Sequence, residues 1–192
     1  MKIILASKSK RRQELLKMLG INYEIVESTG NELIDNTLTP IENCQNISLE
    51  KALDVQKKTN GDRIIIACDT IVCMDNQIYG KPKDYEDAFD MLKILSGRSH
   101  EVISCLTVIK VKNKKKIIKQ ESSTCKVYID NMSDSEINEW LIKNKPYDKA
   151  GAYAIQEEFG KYITKIEGDY YTIVGLPINN LYNILKELEN DN

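Results

Sequence analysis

The sequence predicts a mixed α/β fold whose sheet bends around a cleft. Strand-like apolar runs alternate with helical segments through the first half of the chain, beginning with a strand, a turn and a helix in residues 3–16. Two long β-rich runs, residues 101–111 and 117–129, occupy the second half. Because the chain has 192 residues and lacks a low-complexity linker, we expect one domain over residues 1–192, organised as two lobes.

Caps and turn residues define the expected elements of the first half. Residues 21–27 alternate in polarity and predict a second strand. Residues 39–42 form a capping box with proline at the first helical position, which predicts a helix that reaches Lys58. The apolar run at residues 63–68 predicts a buried strand that ends at residues 69–70.

Similar signals define the elements of the rest of the chain. Asp75 and Asn76 separate two short β-rich runs and predict a tight hairpin. Asp84 is placed to cap a helix that runs through Leu95, and residues 133–136 form a second capping box. We further expect a hairpin tip at the lysine-rich residues 112–116, a turn and then a strand within residues 166–174, and a last helix over residues 177–188.

The composition is that of an ordinary soluble globular protein, with 42% hydrophobic and 29% charged residues. A net charge of −2 gives no reason to expect a nucleic-acid partner. No apolar stretch is long enough to span a bilayer, and the chain begins with a strand and helix pattern instead of a signal sequence. We therefore expect a cytoplasmic protein without a nucleic-acid or membrane partner.

Cysteine and histidine usage argues against metal cages and disulfides. The five cysteines are odd in number and scattered among apolar neighbours, which predicts buried, reduced thiols. The single histidine, His100, is interpreted as structural. Acid–base chemistry is therefore expected from carboxylates.

The opening strand, turn and helix carry groups suited to phosphate. Helix starts present unpaired N–H groups and the positive end of the macrodipole. Ser7 and Ser9 stand at the turn, and the guanidiniums of Arg11 and Arg12 add bidentate donors in the first helical turn. The alternative is a solvated helix start with an ordinary serine cap.

Two further positions suit the chemistry of phosphates. Asp69, at the expected end of a buried strand, is placed to coordinate a hard cation or to accept a proton from water. The alternative is a carboxylate that shapes a loop. Lys81 lies between a glycine and a proline, where a stiff backbone aims its charge, and the alternative is a surface lysine.

Small residues in 148–156 permit close approach of the backbone to a ligand. Gln156 offers both a donor and an acceptor for the edge of a base, although a structural loop can have the same composition. Glu32 and Lys51 are charges that can face the cleft, with solvent exposure as the alternative.

Together these segments resemble the Maf family of nucleoside triphosphate pyrophosphatases over nearly the whole chain. The matching blocks are ILASKSKRRQELL, ACDTIV, GKPKDYEDAFDMLKILSGRSHEVIS, DKAGAYAIQ and GDYYTIVGLP. The resemblance implies hydrolysis of a nucleoside triphosphate to monophosphate and pyrophosphate with a divalent cation, Mg²⁺ or alternatively Mn²⁺. It also implies an elongated mixed sheet flanked by helices, two lobes around a central cleft as in inosine-triphosphate pyrophosphatases, and a homodimer.

The family's motifs imply roles for particular residues of this sequence. The catalytic acid of the family matches Asp69, and its lysines match Lys51 and Lys81. Its phosphate-binding SxSxRR motif matches Ser7, Ser9, Arg11 and Arg12. The specificity positions of the branch that prefers dTTP and UTP match Arg11, Thr70 and Gln156.

The chain departs from the family pattern in two places. Where members carry an acidic pair, this chain has residues 29–32, so Glu32 is expected to join Asp69 as the metal-facing carboxylate, in a shifted register. After Gln156 the family has glycine, whereas this chain has Glu157, whose charge is expected to alter loop shape or substrate choice.

The sequence therefore predicts a magnesium-dependent pyrophosphatase for dTTP and UTP, modified pyrimidine nucleotides included. Asp69 either holds the cation or activates water, and both roles stay open. One alternative is the same reaction on 7-methyl-GTP or another non-standard nucleotide. A second is a nucleotide-binding regulator of cell division, because the family is linked to septum formation, and a third is a nucleotidyltransferase.

Overall fold

Strand pairing in the computed structural model gives one mixed sheet of seven strands within the described residues, 1–30 and 32–190. The strands are β1 (Lys2–Leu5), β2 (Glu24–Ile25), β3 (Arg63–Met74), β4 (Gln77–Tyr79), β5 (Ser99–Lys112), β6 (Lys115–Ile129) and β7 (Ile163–Glu167). The helices are α1 (Lys10–Met18), α2 (Pro40–Lys58), α3 (Tyr85–Leu95), α4 (Asp134–Asn144), α5 (Tyr170–Val174) and α6 (Ile178–Asn190), with 3₁₀ turns at Ala150–Ala152 and Glu158–Tyr162. The order in the sheet is β2-β1-β3-β5-β6-β7, and β4 pairs with β3. The predicted mixed α/β class is confirmed.

The chain divides into two compact units, here called the first and second units. The first comprises Met1–Asp69, Ser104–Ser123 and Gly175–Asn192, and the second comprises Thr70–Ile103 and Thr124–Val174. Strands β3, β5 and β6 each contribute residues to both units.

Parallel pairing organises the first unit. Leu5 of β1 pairs with Ile25 of β2 on one side and with Ile66 of β3 on the other. Helix α2 covers this sheet with Ala52 and Val55, since an apolar helix face must be buried against another element. The core of the unit contains Ile4, Ala6, Ala52, Val55, Ile65, Ala67 and Ile109. The carboxyl ends of β1 and β2 therefore lie side by side at one sheet edge, whereas β3 continues past them to Met74.

Aromatic packing organises the second unit. The Phe159 ring is fully buried, stacks on Tyr153 at 4.8 Å between centroids, and meets the edges of Trp140 and Tyr162. The Trp140 indole N–H donates to the Ala152 carbonyl at 3.0 Å, so the large ring is buried without an unpaired donor. This core fixes the loop that leads to Gln156.

The predicted caps and hairpins are confirmed. Thr39 and Ser133 each accept a backbone N–H of their helix with the side-chain hydroxyl, and the backbone N–H of each donates to the carboxylate of the glutamate three positions on. Asp75 and Asn76 have positive φ angles of 53° and 63°, as a two-residue hairpin turn requires. None of the helices in the described ranges is both long and apolar enough to cross a bilayer.

The bounds of two predicted strands were wrong, and a third predicted strand is a helix. The strand expected to end at residues 69–70 continues to Met74, because β3 gains β4 as a partner beyond the residues that pair with β1. Strand β2 is confined to Glu24–Ile25. The segment expected as a strand within residues 166–174 forms helix α5, since the Asp169 carboxylate accepts two N–H groups at its start.

Candidate active site

The turn after β1 lies at the carboxyl edge of the parallel strands, where open α/β sheets bind ligands. The Ala6 N–H donates to Ile66 at 2.8 Å, so β1 stays paired up to the turn. Ser7 Oγ then accepts the Ser9 N–H at 3.2 Å, and Ser9 Oγ caps α1 by accepting the Arg12 N–H at 3.5 Å. Both hydroxyls act as acceptors in these bonds, so each can direct its own hydrogen at an anion.

The Arg12 guanidinium is fixed on two sides. Its Nε–H donates to the Gly175 carbonyl at 2.8 Å, and one terminal nitrogen donates to Ser7 Oγ at 3.2 Å. Gly175 has a φ of +110°, which side-chain-bearing residues rarely adopt. Arg11 is half-buried and makes no hydrogen bond or ion pair with the described residues. The Arg12 guanidinium is therefore preorganised, whereas the Arg11 guanidinium makes no such bond with the described residues.

Asp69 lies where β3 changes its partner. The strand pairs with β1 up to Ile66 and with β4 from Val72, and the Asp69 side chain lies between these stretches. Strand alternation places Ile65, Ala67 and Asp69 on one face, and helix α2 packs on Ile65 and Ala67 there. The carboxylate is consequently buried, at 7% exposure, against α2.

One ammonium group connects two carboxylates of the first unit. Lys51 Nζ of α2 lies 2.6 Å from Asp69 Oδ1 and 2.7 Å from Glu32 Oε1. The Lys51 and Asp69 side chains are 11% and 10% exposed, whereas that of Glu32 is 45% exposed. Two negative charges thus share one positive charge, which leaves the group net negative.

The loop that carries Glu32 is anchored to α2 on both sides of that residue. The Thr29 N–H donates to Asp54 Oδ2 at 2.8 Å. On the other side, the Asp35 N–H donates to Asn43 Oδ1 at 2.8 Å, and the Asn43 amide donates back to the Asp35 carbonyl at 2.9 Å. These bonds hold an irregular loop in position over Lys51.

Buried thiols surround the Asp69 backbone. Cys44 and Cys68 each donate to the Asp69 carbonyl at 3.5 Å. Burial raises the pKa of Cys68 to about 11, against the opposing charges of Arg12 and Lys51. All five cysteines are free and buried, so the prediction of buried, reduced thiols is confirmed.

The two carboxylates fit a hard divalent cation. Mg²⁺ takes oxygen ligands and is usually held through one or two carboxylates, with substrate phosphates and water completing its shell. Asp69 and Glu32 already approach one cationic group, Lys51 Nζ, from separate elements. In the described part of the chain no three His, Cys, Asp or Glu side chains assemble into a metal cage. The donor set therefore suits a cation that is shared with a nucleotide.

The second unit connects the segments of Lys81 and Gln156, both of which are exposed. The Gly151 N–H donates to the Gly80 carbonyl at 3.1 Å, which ties the loop of Gln156 to the residue before Lys81. Gly151 has a φ of +68°, and a Cβ there would lie 3.2 Å from the methyl groups of Val72. Only glycine fits this junction without strain.

His100 is packed inside the second unit. Its Nε2 lies 2.7 Å from the Tyr153 hydroxyl, and Nδ1 has no hydrogen-bond partner among the described residues. Burial lowers the pKa of His100 to about 4, so the ring is neutral at physiological pH. The predicted structural interpretation of His100 agrees with this environment.

A family model described as Maf-like protein matches residues 2–188. The chain belongs to the Maf family. A Maf relative from Clostridium botulinum (strain Eklund 17B / Type B), named dTTP/UTP pyrophosphatase, is 47% identical over 97% of this chain and 99% of its own. Another of that name, from Alkaliphilus oremlandii (strain OhILAs), is 45% identical over 96% of this chain and 94% of its own.

Solved structures resemble this Maf protein more remotely. The Staphylococcus aureus Ham1 protein matches 67% of this chain and 72% of its own, with a TM-score of 0.43 and 15% identity. A nucleoside-triphosphatase, dITP/XTP pyrophosphatase, from Mycobacterium abscessus matches 69% and 76%, with a TM-score of 0.38 and 16% identity.

The Maf residues singled out from the sequence fall into separate groups. The first unit joins Ser7, Ser9 and Arg12 by hydrogen bonds, and joins Glu32, Lys51 and Asp69 by ion pairs. The second unit contains Thr70, Lys81 and Gln156.

Sequence reasoning missed Gly175, Cys44 and Cys68. Cys44 was detectable, since it precedes Lys51 by two helical turns and therefore shares its face.

Proposed function

We propose that this Maf protein hydrolyses dTTP and UTP, modified pyrimidine triphosphates included, to the monophosphate and pyrophosphate. Relatives named dTTP/UTP pyrophosphatase, at 42–47% identity over 96–98% of this chain, support this substrate class. The structural observation that carries the proposal is the position of Lys51 Nζ between Asp69 and Glu32. These two carboxylates and this ammonium group lie in the first unit, which also contains the turn before Arg11 and Arg12.

The basic groups bind the triphosphate and offset its charge. Arg12, already oriented by Gly175 and Ser7, presents a preorganised fork for phosphate oxygens. Arg11 adds a second guanidinium, and the Ser7 and Ser9 hydroxyls donate from the turn. We assign Lys81 in the second unit to the phosphates as well. Preorganised charges of this kind stabilise the transition state as the bond between the α- and β-phosphates breaks.

The carboxylates act on water and on the cation. Asp69 orients the attacking water and accepts its proton, and Lys51 fixes the carboxylate that does so. Asp69 and Glu32 would hold Mg²⁺ or Mn²⁺, which supplies Lewis-acid polarisation of a phosphoryl oxygen when bound. The anchored loop keeps Glu32 in reach of Lys51.

Base recognition is assigned to Thr70 and Gln156. An amide side chain donates and accepts hydrogen bonds, which matches the alternating carbonyl and N–H groups on the edge of thymine or uracil. The hydroxyl of Thr70 adds a second polar group that contacts the pyrimidine or helps to position it.

A substrate panel tests the proposal. dTTP, UTP, dCTP, GTP, ATP and 7-methyl-GTP are incubated with the protein and Mg²⁺, with and without chelator, and products are separated by ion exchange. We expect pyrophosphate and monophosphate in equal amounts from dTTP and UTP, and no turnover with chelator. Absence of pyrophosphate release from both nucleotides contradicts the proposal.

The same panel separates the rival functions. Turnover confined to 7-methyl-GTP identifies the alternative nucleotide substrate. Tight binding of triphosphates without hydrolysis in Mg²⁺ identifies a nucleotide-binding regulator of division. Pyrophosphate release that requires a second, acceptor substrate identifies a nucleotidyltransferase.

A further inference from the structure

Lys149 is a buried cation that the proposed chemistry does not use. The residue is 9% exposed and begins the second-unit loop that leads to Gln156. Its Nζ lies 2.9 Å from Asp148 Oδ1 and 3.4 Å from Glu157 Oε1. A buried ammonium group is unfavourable unless it is paired, so these contacts and the conformation of the loop depend on each other.

Glu157 closes the other end of the same loop. Its backbone N–H donates to the Ala154 carbonyl at 3.2 Å, which forms a four-residue turn with Gln156 as its third residue. Its carboxylate reaches back to Lys149. Gln156 is therefore held between a backbone hydrogen bond and an ion pair, both made by the residue that follows it.

We propose that Lys149 and Glu157 form a clamp that positions Gln156 and thereby sets the preference of the enzyme for particular pyrimidine bases. This inference rests on the proposed function and identifies two positioning residues for it. A closed clamp restricts the orientation of the Gln156 amide, which lowers the entropy lost when the base binds. An open clamp weakens base binding and discrimination, whereas bond breaking depends on other groups, namely Asp69, Lys51 and the basic residues that bind the phosphates.

Single substitutions with a matched control test the clamp. Glu157→Gln keeps the size and the backbone bond but removes the charge that faces Lys149. Glu158→Gln makes the same change at the next residue, whose carboxylate pairs with Lys143 of α4 at 2.6 Å. Lys149→Met removes the ammonium and keeps an apolar stem, which preserves packing.

We expect Glu157→Gln and Lys149→Met to raise KM for UTP and dTTP about three- to tenfold with kcat nearly unchanged. The ratio of kcat/KM for UTP over CTP falls in both variants, and Glu158→Gln behaves as wild type. In nucleotide-free protein, we expect the backbone amide of residue 157 to exchange its hydrogen faster in Glu157→Gln than in wild type or Glu158→Gln.

The two readouts separate the clamp from the proposed function. A wild-type protein that turns over no pyrimidine triphosphate contradicts the function, and hydrogen exchange of the free protein then still tests the clamp. Wild-type KM values together with wild-type exchange in Glu157→Gln overturn the clamp.

Discussion

Lys51 Nζ lies 2.6 Å from Asp69 Oδ1, and this contact connects helix α2 to the strand that carries the proposed catalytic carboxylate. Both side chains are nearly buried, and the same ammonium holds Glu32 from an anchored loop. Removing one partner of a buried pair leaves an uncompensated charge, so fold and chemistry are coupled at this point.

Replacing Lys51 by methionine tests the importance of the bridge. We expect kcat/KM for dTTP to fall about 10²- to 10³-fold, because a preorganised charge beside the reacting group is lost. Lys119→Met is the control, since Lys119 forms an exposed pair with Glu187 in the same unit. Pyrophosphate release measures both variants, and equal activity in the two would contradict a role for the bridge.

The two arginines are expected to respond differently to replacement by lysine. Arg12→Lys loses the Nε–H bond to Gly175 and the bond to Ser7, so we expect the free energy of unfolding to fall by about 1–2 kcal/mol and KM to rise. Arg11→Lys is expected to raise KM alone. Urea unfolding and steady-state kinetics distinguish the cases, and an unchanged unfolding free energy in Arg12→Lys would refute the fixed orientation.

Much of the fold was predictable because its signals are local. Caps at Thr39 and Ser133 lie within four residues of the groups they bind, and the hairpin at Asp75 is set by its own turn. The continuation of β3 past Asp69 was not predictable, because it depends on which strand pairs there.

In the candidate site, too, local features were predictable and long-range contacts were not. Its residue types were found from motifs, whereas the contact from Arg12 to Gly175 joins residues 163 positions apart. No local pattern encodes such a bond, nor does one show that Lys149 is buried and reaches Glu157.

Gly151→Ala tests the junction between the loop of Gln156 and the segment before Lys81. We expect a loss of about 2–4 kcal/mol in unfolding free energy, because the left-handed backbone and contact with Val72 both oppose a Cβ. Gly61→Ala is the control, since its φ is +77° but nothing lies within 4 Å of the added atom. Equal losses measured by urea unfolding would show that the contact with Val72 is unimportant.

Burial of His100 gives stability a defined pH dependence. Its pKa is about 4 in the folded chain against an ordinary value of 6.5. As pH falls, His100 therefore binds a proton in the unfolded chain before it does so in the folded chain. The stabilisation is therefore fully present above pH 6.5 and is lost as pH falls towards 4, by about 2 kcal/mol between pH 7 and 5. His100→Gln is expected to lose less over that interval in urea unfolding, and an identical slope would contradict the assignment.

The substitution Asp69→Asn tests the central claim most directly. It replaces one carboxylate oxygen by an NH₂ group, which removes the negative charge at nearly constant shape. Pyrophosphate release from dTTP and UTP is measured beside Asp62→Asn, whose carboxylate accepts the Asn113 N–H at 2.9 Å. We expect kcat to fall about 10²- to 10⁴-fold in Asp69→Asn with cooperative unfolding retained, and no loss in Asp62→Asn. Near-normal release by folded Asp69→Asn would contradict the account.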